Sequence, residues 1–195
     1  MAEYLIVLVV AALVTWLLTP WVRRAAIRLG AVVSPDHRRV HERPTPTLGG
    51  AAMYGGFLAA MAAASVLPQF RAVFRGTSEP LGLLVGATTM FAVGALDDLR
   101  DVSPPAKLAG QVFSGSLLSI LGITLLFFRI PFAGFVVLSP DLSALVTVLW
   151  VVGMANITNF IDGLDGLAAG IVAIAAAALF VYSTRLSDAG LLEPG

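Results

Sequence analysis

The stretch Asn156-Ile157-Thr158-Asn159-Phe160-Ile161-Asp162-Gly163-Leu164-Asp165-Gly166-Leu167-Ala168-Ala169-Gly170 carries an amide or a carboxylate at every third position from Asn156 to Asp165. On an α-helix a step of three residues turns the chain by about 300°. Asn159 then lies about 60° from both Asn156 and Asp162, while Asp165 has rotated away. Gly163 and Gly166 offer an exit from the helix that swings Asp165 back, since glycine accepts backbone angles that other residues resist. Oxygen ligands and hydrogen-bonding groups gathered in this way suit a magnesium-bound phosphate. Asn and Asp also cap helix ends, but a cap uses one or two such groups, not four in register.

A second candidate closes an earlier apolar run, where Asp97 and Asp98 are followed by Leu99-Arg100-Asp101-Val102-Ser103-Pro104-Pro105-Ala106-Lys107. Adjacent carboxylates at the edge of an apolar segment repel one another, and each resists desolvation. A bound divalent cation relieves both penalties. The bland alternative is a solvated helix end with Arg100 and Lys107 as interfacial anchors. A carboxylate pair at a helix C-terminus opposes the macrodipole, so stability alone is a poor reason for it. Lys107 and Gln111 stand one helical turn apart at the start of the next run, within reach of phosphate or carboxylate.

The loop Ser34-Pro35-Asp36-His37-Arg38-Arg39-Val40-His41-Glu42-Arg43-Pro44-Thr45-Pro46-Thr47-Leu48-Gly49-Gly50 is stiffened by proline and rich in arginine. It suits a clamp for phosphate, and equally a basic loop that sets membrane topology. His37 and His41 have the spacing of a zinc pair, but the chain has no cysteine and no further histidine to complete a site.

These groups must be held by membrane helices. Hydrophobic residues make up 58% of the 195, and only 12% are charged, against about 25% in soluble domains. Six uncharged runs, at about 4–21, 48–69, 81–96, 108–128, 142–161 and 167–184, each come near the ~20 residues of a spanning helix. None alternates as the strands of a membrane barrel would. The expectation is all-α: a polytopic helical bundle of about six spans, forming a single transmembrane domain over residues 1–195.

Orientation follows the basic residues. With the N-terminus outside, the inward segments hold Arg23, Arg24, Arg28, Arg38, Arg39, Arg43, Arg100 and Lys107, and the outward ones Arg71, Arg75, Arg129 and Arg185. This topology also puts Asp97, Asp98, Asp162 and Asp165 on the cytoplasmic side. No basic residue precedes the first run, which therefore reads as a retained helix and not a cleaved signal. Leu186–Gly195 reads as a loop stopping in mid-course, the expectation for a chain truncated at its C-terminus. A net charge of zero gives no reason to expect nucleic acid as a partner.

Three signatures in order resemble the polyprenyl-phosphate N-acetylhexosamine-1-phosphate transferase family (glycosyltransferase family 4) over essentially the whole chain. They are Arg38-Arg39-Val40-His41 with Pro44-Thr45-Pro46-Thr47-Leu48-Gly49-Gly50; Gly94-Ala95-Leu96-Asp97-Asp98 with Lys107 and Gln111; and Asn156 to Gly170. The Arg-Val-His loop is more similar to the undecaprenyl- or decaprenyl-phosphate GlcNAc-1-phosphate branch. The phospho-N-acetylmuramoyl-pentapeptide transferase branch shares the Thr-Pro-Thr and the two glycines.

The resemblance implies transfer of a sugar-1-phosphate from a UDP-N-acetylhexosamine to undecaprenyl or decaprenyl phosphate, releasing UMP. The reaction would use Mg²⁺, with Mn²⁺ as a substitute, at the cytoplasmic face of a bacterial inner membrane, and would start synthesis of a cell-envelope polysaccharide. By the same resemblance Asp97, Asp98 and Asp162 are catalytic, with Asn159 joining these three at the metal. Asn156, Gly163, Leu164 and Asp165 face the nucleotide, Lys107 the phosphates, and Arg38 and His41 support them from the loop. The family has about ten spans, with a further metal-binding Asp and a sugar-contacting loop in its later half. This chain carries neither, which predicts that it is inactive alone. The family resemblance also allows a homodimer. Two readings of another class stay open: an ion-coupled transporter, disfavoured because no repeat is visible and the acids sit at one surface, and an inactive membrane scaffold.

Overall fold

The structure, a computed structural model, describes residues 1–33, 45–100, 102–130, 134–164 and 166–188. The chain forms two compact units, one over Met1–Pro35 and His41–Gly153, the other over Asp36–Val40 and Met154–Gly195.

The first unit opens with α1 (Ala2–Arg28), a helix about 40 Å long that outruns the ~30 Å hydrocarbon core. The apolar run ends near Trp21, yet the helix continues through Arg23, Arg24 and Arg28. Its stop signal is Gly30, at φ +72°, which turns the chain so that the Ala31 N–H donates to the Ala26 carbonyl at 2.9 Å. Strand β1 (Val32–Val33) then pairs antiparallel with β2 (Thr45–Pro46), which leads into α2 (Gly49–Val66).

Small residues at Ala52, Gly56, Ala60 and Ala64 line the buried stripe of α2. A Cβ on Gly56 would collide with Thr15 and with the Ala11 carbonyl, so α1 and α2 touch backbone to backbone. At the far end of this hairpin the Glu3 carboxylate accepts the Gln69 N–H at 2.7 Å, and Tyr4 meets Phe70 edge-on. The short helix α3 (Arg71–Gly76) follows and leads to α4 (Glu79–Arg100). Tyr54 stacks on Phe91 with ring centroids 4.4 Å apart, and its hydroxyl meets that of Thr88 at 2.6 Å, joining α2 to α4.

Helix α5 (Pro104–Ile120) packs antiparallel on α4. The two helices pack closely at Gly82 and Gly86: a Cβ on Gly86 would stand 2.6 Å from Leu118 Cγ, and one on Gly82 would stand 2.9 Å from Leu121 Cβ. Ser114, almost wholly buried, donates to the Gly86 carbonyl at 2.7 Å. Gly86→Leu is therefore expected to destabilise the unit by about 1–3 kcal/mol through overpacking. Gly94→Ala, where the new Cβ has nothing within 4 Å, should be neutral or slightly stabilising. Denaturant titration in mixed micelles, followed by circular dichroism, measures both.

The run expected as a span over Leu108–Phe128 differs. Helix α5 has 17 residues and ends at Ile120, where Gly122 at φ +100° lets Ile123 N–H cap the Leu118 carbonyl at 2.9 Å. The β-branched and aromatic residues beyond it favour extended backbone. They form β3 (Phe127–Ile130), paired antiparallel with β4 (Gly134–Val137). The connecting segment is pinned to α6 (Pro140–Ile161): Ser143 Oγ donates to the Leu125 carbonyl at 2.7 Å, and Leu125 N–H donates to Thr147 Oγ1 at 2.8 Å.

Helix α6 runs on into the second unit, which it shares with α7 (Leu167–Asp188). Among the described residues no atom comes within 4 Å of a Cβ placed on Gly166 or Gly170. Gly166, at φ +78°, serves the turn before α7. Among the described residues five helices, α1, α2, α4, α6 and α7, are long and apolar enough to cross a membrane, and the chain is an all-α, multi-pass membrane protein.

Candidate active site

Within the first unit, the antiparallel order of α1, α2, α4 and α5 gathers the C-terminal ends of α1 and α4 with the N-terminal ends of α2 and α5. The acid pair belongs to this end. Its geometry follows from the register of the α4–α5 hairpin. Gly82 opposes Leu121, Gly86 opposes Leu118, and Gly110 would press its Cβ against Val93. Continued by one turn, the same register sets Asp97 opposite Lys107.

The structure shows that contact: Lys107 Nζ lies 2.6 Å from Asp97 Oδ2, with both side chains about a quarter exposed. Asp98, the next residue and about 100° further round the helix, is exposed. One carboxylate is thus held by a lysine while its neighbour faces solvent. Sequence reasoning assigned Lys107 to substrate phosphates and did not foresee its pairing with Asp97. The signal that finds it is the short link between α4 and α5, which fixes the hairpin register. Gln111, one turn along α5, is buried.

In the second unit, Asn156 and Asn159 occupy the last turns of α6, and both are exposed. The helix ends at Ile161, and exposed Asp162, Gly163 and Leu164 form the turn beyond it. Leu167 N–H then donates to the Leu164 carbonyl at 3.1 Å as α7 begins. The expected departure from the helix is present but comes already at Ile161, and it is Gly166 and not Gly163 that takes the left-handed conformation. Arg38, His41 and Asp165 lie outside the described residues.

No cluster of three or more histidine, cysteine, aspartate or glutamate side chains that would suit a metal occurs among the described residues. Asp97 and Asp98 supply carboxylate oxygens, the donor type of Mg²⁺, which is commonly held by one or two carboxylates with water and substrate phosphates completing its shell. The donors are hard oxygens, and the chain contains no thiolate to favour a softer ion.

Residues 80–193 match the profile of Glycosyl transferase family 4, more than half of the chain. The chain belongs to this family. The family 4 match takes in the acid pair, Lys107 and the whole Asn156–Gly170 stretch. The chain is 41% identical over 187 residues to the decaprenyl-phosphate N-acetylglucosaminephosphotransferase of Mycolicibacterium smegmatis, covering 94% of this chain and 46% of that one. The proteins of the same name from Mycobacterium tuberculosis and Mycobacterium leprae are each 39% identical, over 94% of this chain and 46% and 47% of theirs. Within family 4 the chain is thus close to the polyprenyl-phosphate GlcNAc-1-phosphate branch. It spans about half the length of these curated relatives. No solved structure matches it.

Proposed function

We propose that this chain supplies the acid-pair part of the active site of a phosphoglycosyl transferase. The enzyme moves GlcNAc-1-phosphate from UDP-GlcNAc to a polyprenyl phosphate. The observation that carries this reading is the exposed Asp98 beside an Asp97 clamped by Lys107, in a chain similar to proteins named for that transfer. A phosphate oxygen of the lipid attacks the β-phosphorus of the nucleotide sugar, the bond to the α-phosphate breaks, and UMP leaves with the electron pair. Reactants and leaving group are all anionic, so the protein's task is positioning and charge neutralisation.

Asp97 and Asp98 would hold Mg²⁺, which supplies charge neutralisation at the phosphates when bound. Lys107 fixes the position of Asp97 and adds positive charge beside it. Asp98 is free to accept the proton of the incoming lipid phosphate. From their residue types and the family resemblance alone, Asn159 and Asp162 would supply oxygen ligands, and Asn156, Gly163, Leu164 and Asp165 would recognise the nucleotide. Arg38 and His41 steady the phosphates from the loop. A site at the membrane surface lets a water-soluble nucleotide sugar meet a lipid whose tail stays in the bilayer.

The test uses membranes from cells expressing this chain, and separately the complete product of the gene that carries its sequence. Each receives UDP-GlcNAc labelled in the sugar, polyprenyl phosphate and Mg²⁺. The gene product should move label into butanol, and EDTA should abolish it. The 195-residue chain should move none. Absence of butanol-soluble label from the gene product would contradict the proposal.

A further inference from the structure

Apart from the acid pair, the first unit holds a half-open cavity of about 160 Å³ near the C-terminal end of α1. Val22, Arg23 and Ala26 line it from α1, and Leu48, Gly49 and Ala52 line it from the start of α2. The hollow exists because small residues stand where helices meet: Ala26 and Ala52 are buried and supply only a methyl each, and nothing lies within 4 Å of a Cβ on Gly49. Its volume is close to that of an engineered apolar cavity that accepts benzene, so a short stretch of hydrocarbon chain fits.

The setting identifies the guest. Along α1 the apolar run gives way at this level to Arg23, Arg24 and Arg28, while the helix's one acid, Glu3, sits at the opposite end. Arg23 lines the cavity and makes no ion pair among the described residues. Arg24 lies over the ring of Trp21 at 5.4 Å, an aromatic and a cation together as at a headgroup boundary. Trp16, Leu17 and Trp21 are more than half exposed, so the adjoining flank of α1 presents an apolar and aromatic surface.

We propose that this cavity is a binding site for one anionic phospholipid, with part of an acyl chain between α1 and α2 and the headgroup phosphate on Arg23. Apolar burial holds the chain and Arg23 selects the charge, so the site distinguishes phosphatidylglycerol from a zwitterionic lipid. The lipid is drawn from the surrounding bilayer and is separate from the substrates proposed above.

The test is native mass spectrometry of the full chain, released from micelles containing phosphatidylglycerol and phosphatidylcholine of matched acyl chains. The expected result is one retained phosphatidylglycerol, preferred over phosphatidylcholine. An interfacial cation is worth about 1 kcal/mol toward anionic lipid, so Arg23→Gln should reduce that preference about fivefold. Gly49→Leu fills open space and should lower retention of both lipids, with circular dichroism checking the fold of each variant. Equal retention of the two lipids, or an unchanged preference in Arg23→Gln, would overturn the proposal. So would one-for-one displacement of phosphatidylglycerol by an equimolar polyprenyl phosphate, which would assign the cavity to the carrier lipid.

Discussion

Asp98→Asn in the complete gene product should lower sugar-phosphate transfer by about 10²–10³-fold while leaving the protein folded. The two halves of this expectation have separate causes. Asp98 is exposed at the end of α4, and exposed substitutions away from special features stay within about ±0.5 kcal/mol of stability. An active-site group aimed at developing charge costs about 2.7–4 kcal/mol of activation free energy when lost. Asparagine keeps the size of the side chain and removes the charge that a metal ion and an incoming proton both require. Initial rates at saturating Mg²⁺, with the denaturation midpoint measured alongside, separate the two effects. A lowered midpoint with a normal specific rate would make Asp98 a structural residue, and equal rates would remove it from the site.

The second large effect is expected at Lys107. The contact between Lys107 Nζ and Asp97 Oδ2, at 2.6 Å and partly exposed, belongs to the class of ion pairs that contribute about 0–1 kcal/mol. If the pair only braced the α4–α5 hairpin, Lys107→Met would leave nearly all molecules folded and active. Our account instead predicts a loss of about 100-fold, because the ammonium adds positive charge beside the phosphates and positions Asp97. The double variant Asp97→Asn/Lys107→Met decides the matter. A merely structural pair leaves the double variant, like each single one, close to full activity. A catalytic pair does not, and the double variant stays at least as impaired as either single one. Lys107→Arg should recover only a small part, since a planar guanidinium does not replace a point charge at a close contact.

Much of the helical framework was legible in the chain because apolar length is a strong signal: the runs that became α1, α2, α4, α6 and α7 all stood out. What apolarity does not encode is where helix gives way to strand. Leu108–Phe128 reads as one greasy run, yet Gly122 at φ +100° ends α5 and the following β-branched and aromatic residues pair as a hairpin. Nor does the end of apolarity mark the end of a helix. Arginine is a good helix former, so α1 runs past Trp21 until Gly30 allows the reversal. At the candidate site, residue types and spacing singled out Asp97, Asp98 and the Asn156–Asp165 series. The Asp97–Lys107 contact needed a three-dimensional register that spacing alone does not supply.

The measurement that bears most directly on the central claim follows the β-phosphate. Membranes expressing the complete gene product would receive UDP-GlcNAc carrying one label in the sugar and a second in the β-phosphate, together with polyprenyl phosphate and Mg²⁺. Transfer of a sugar-1-phosphate predicts that both labels enter the butanol phase in the same ratio as in the donor, with unlabelled UMP left in water. Sugar label alone in butanol, with the β-phosphate label remaining in aqueous UDP, would show that the sugar moves without its phosphate and would contradict the account.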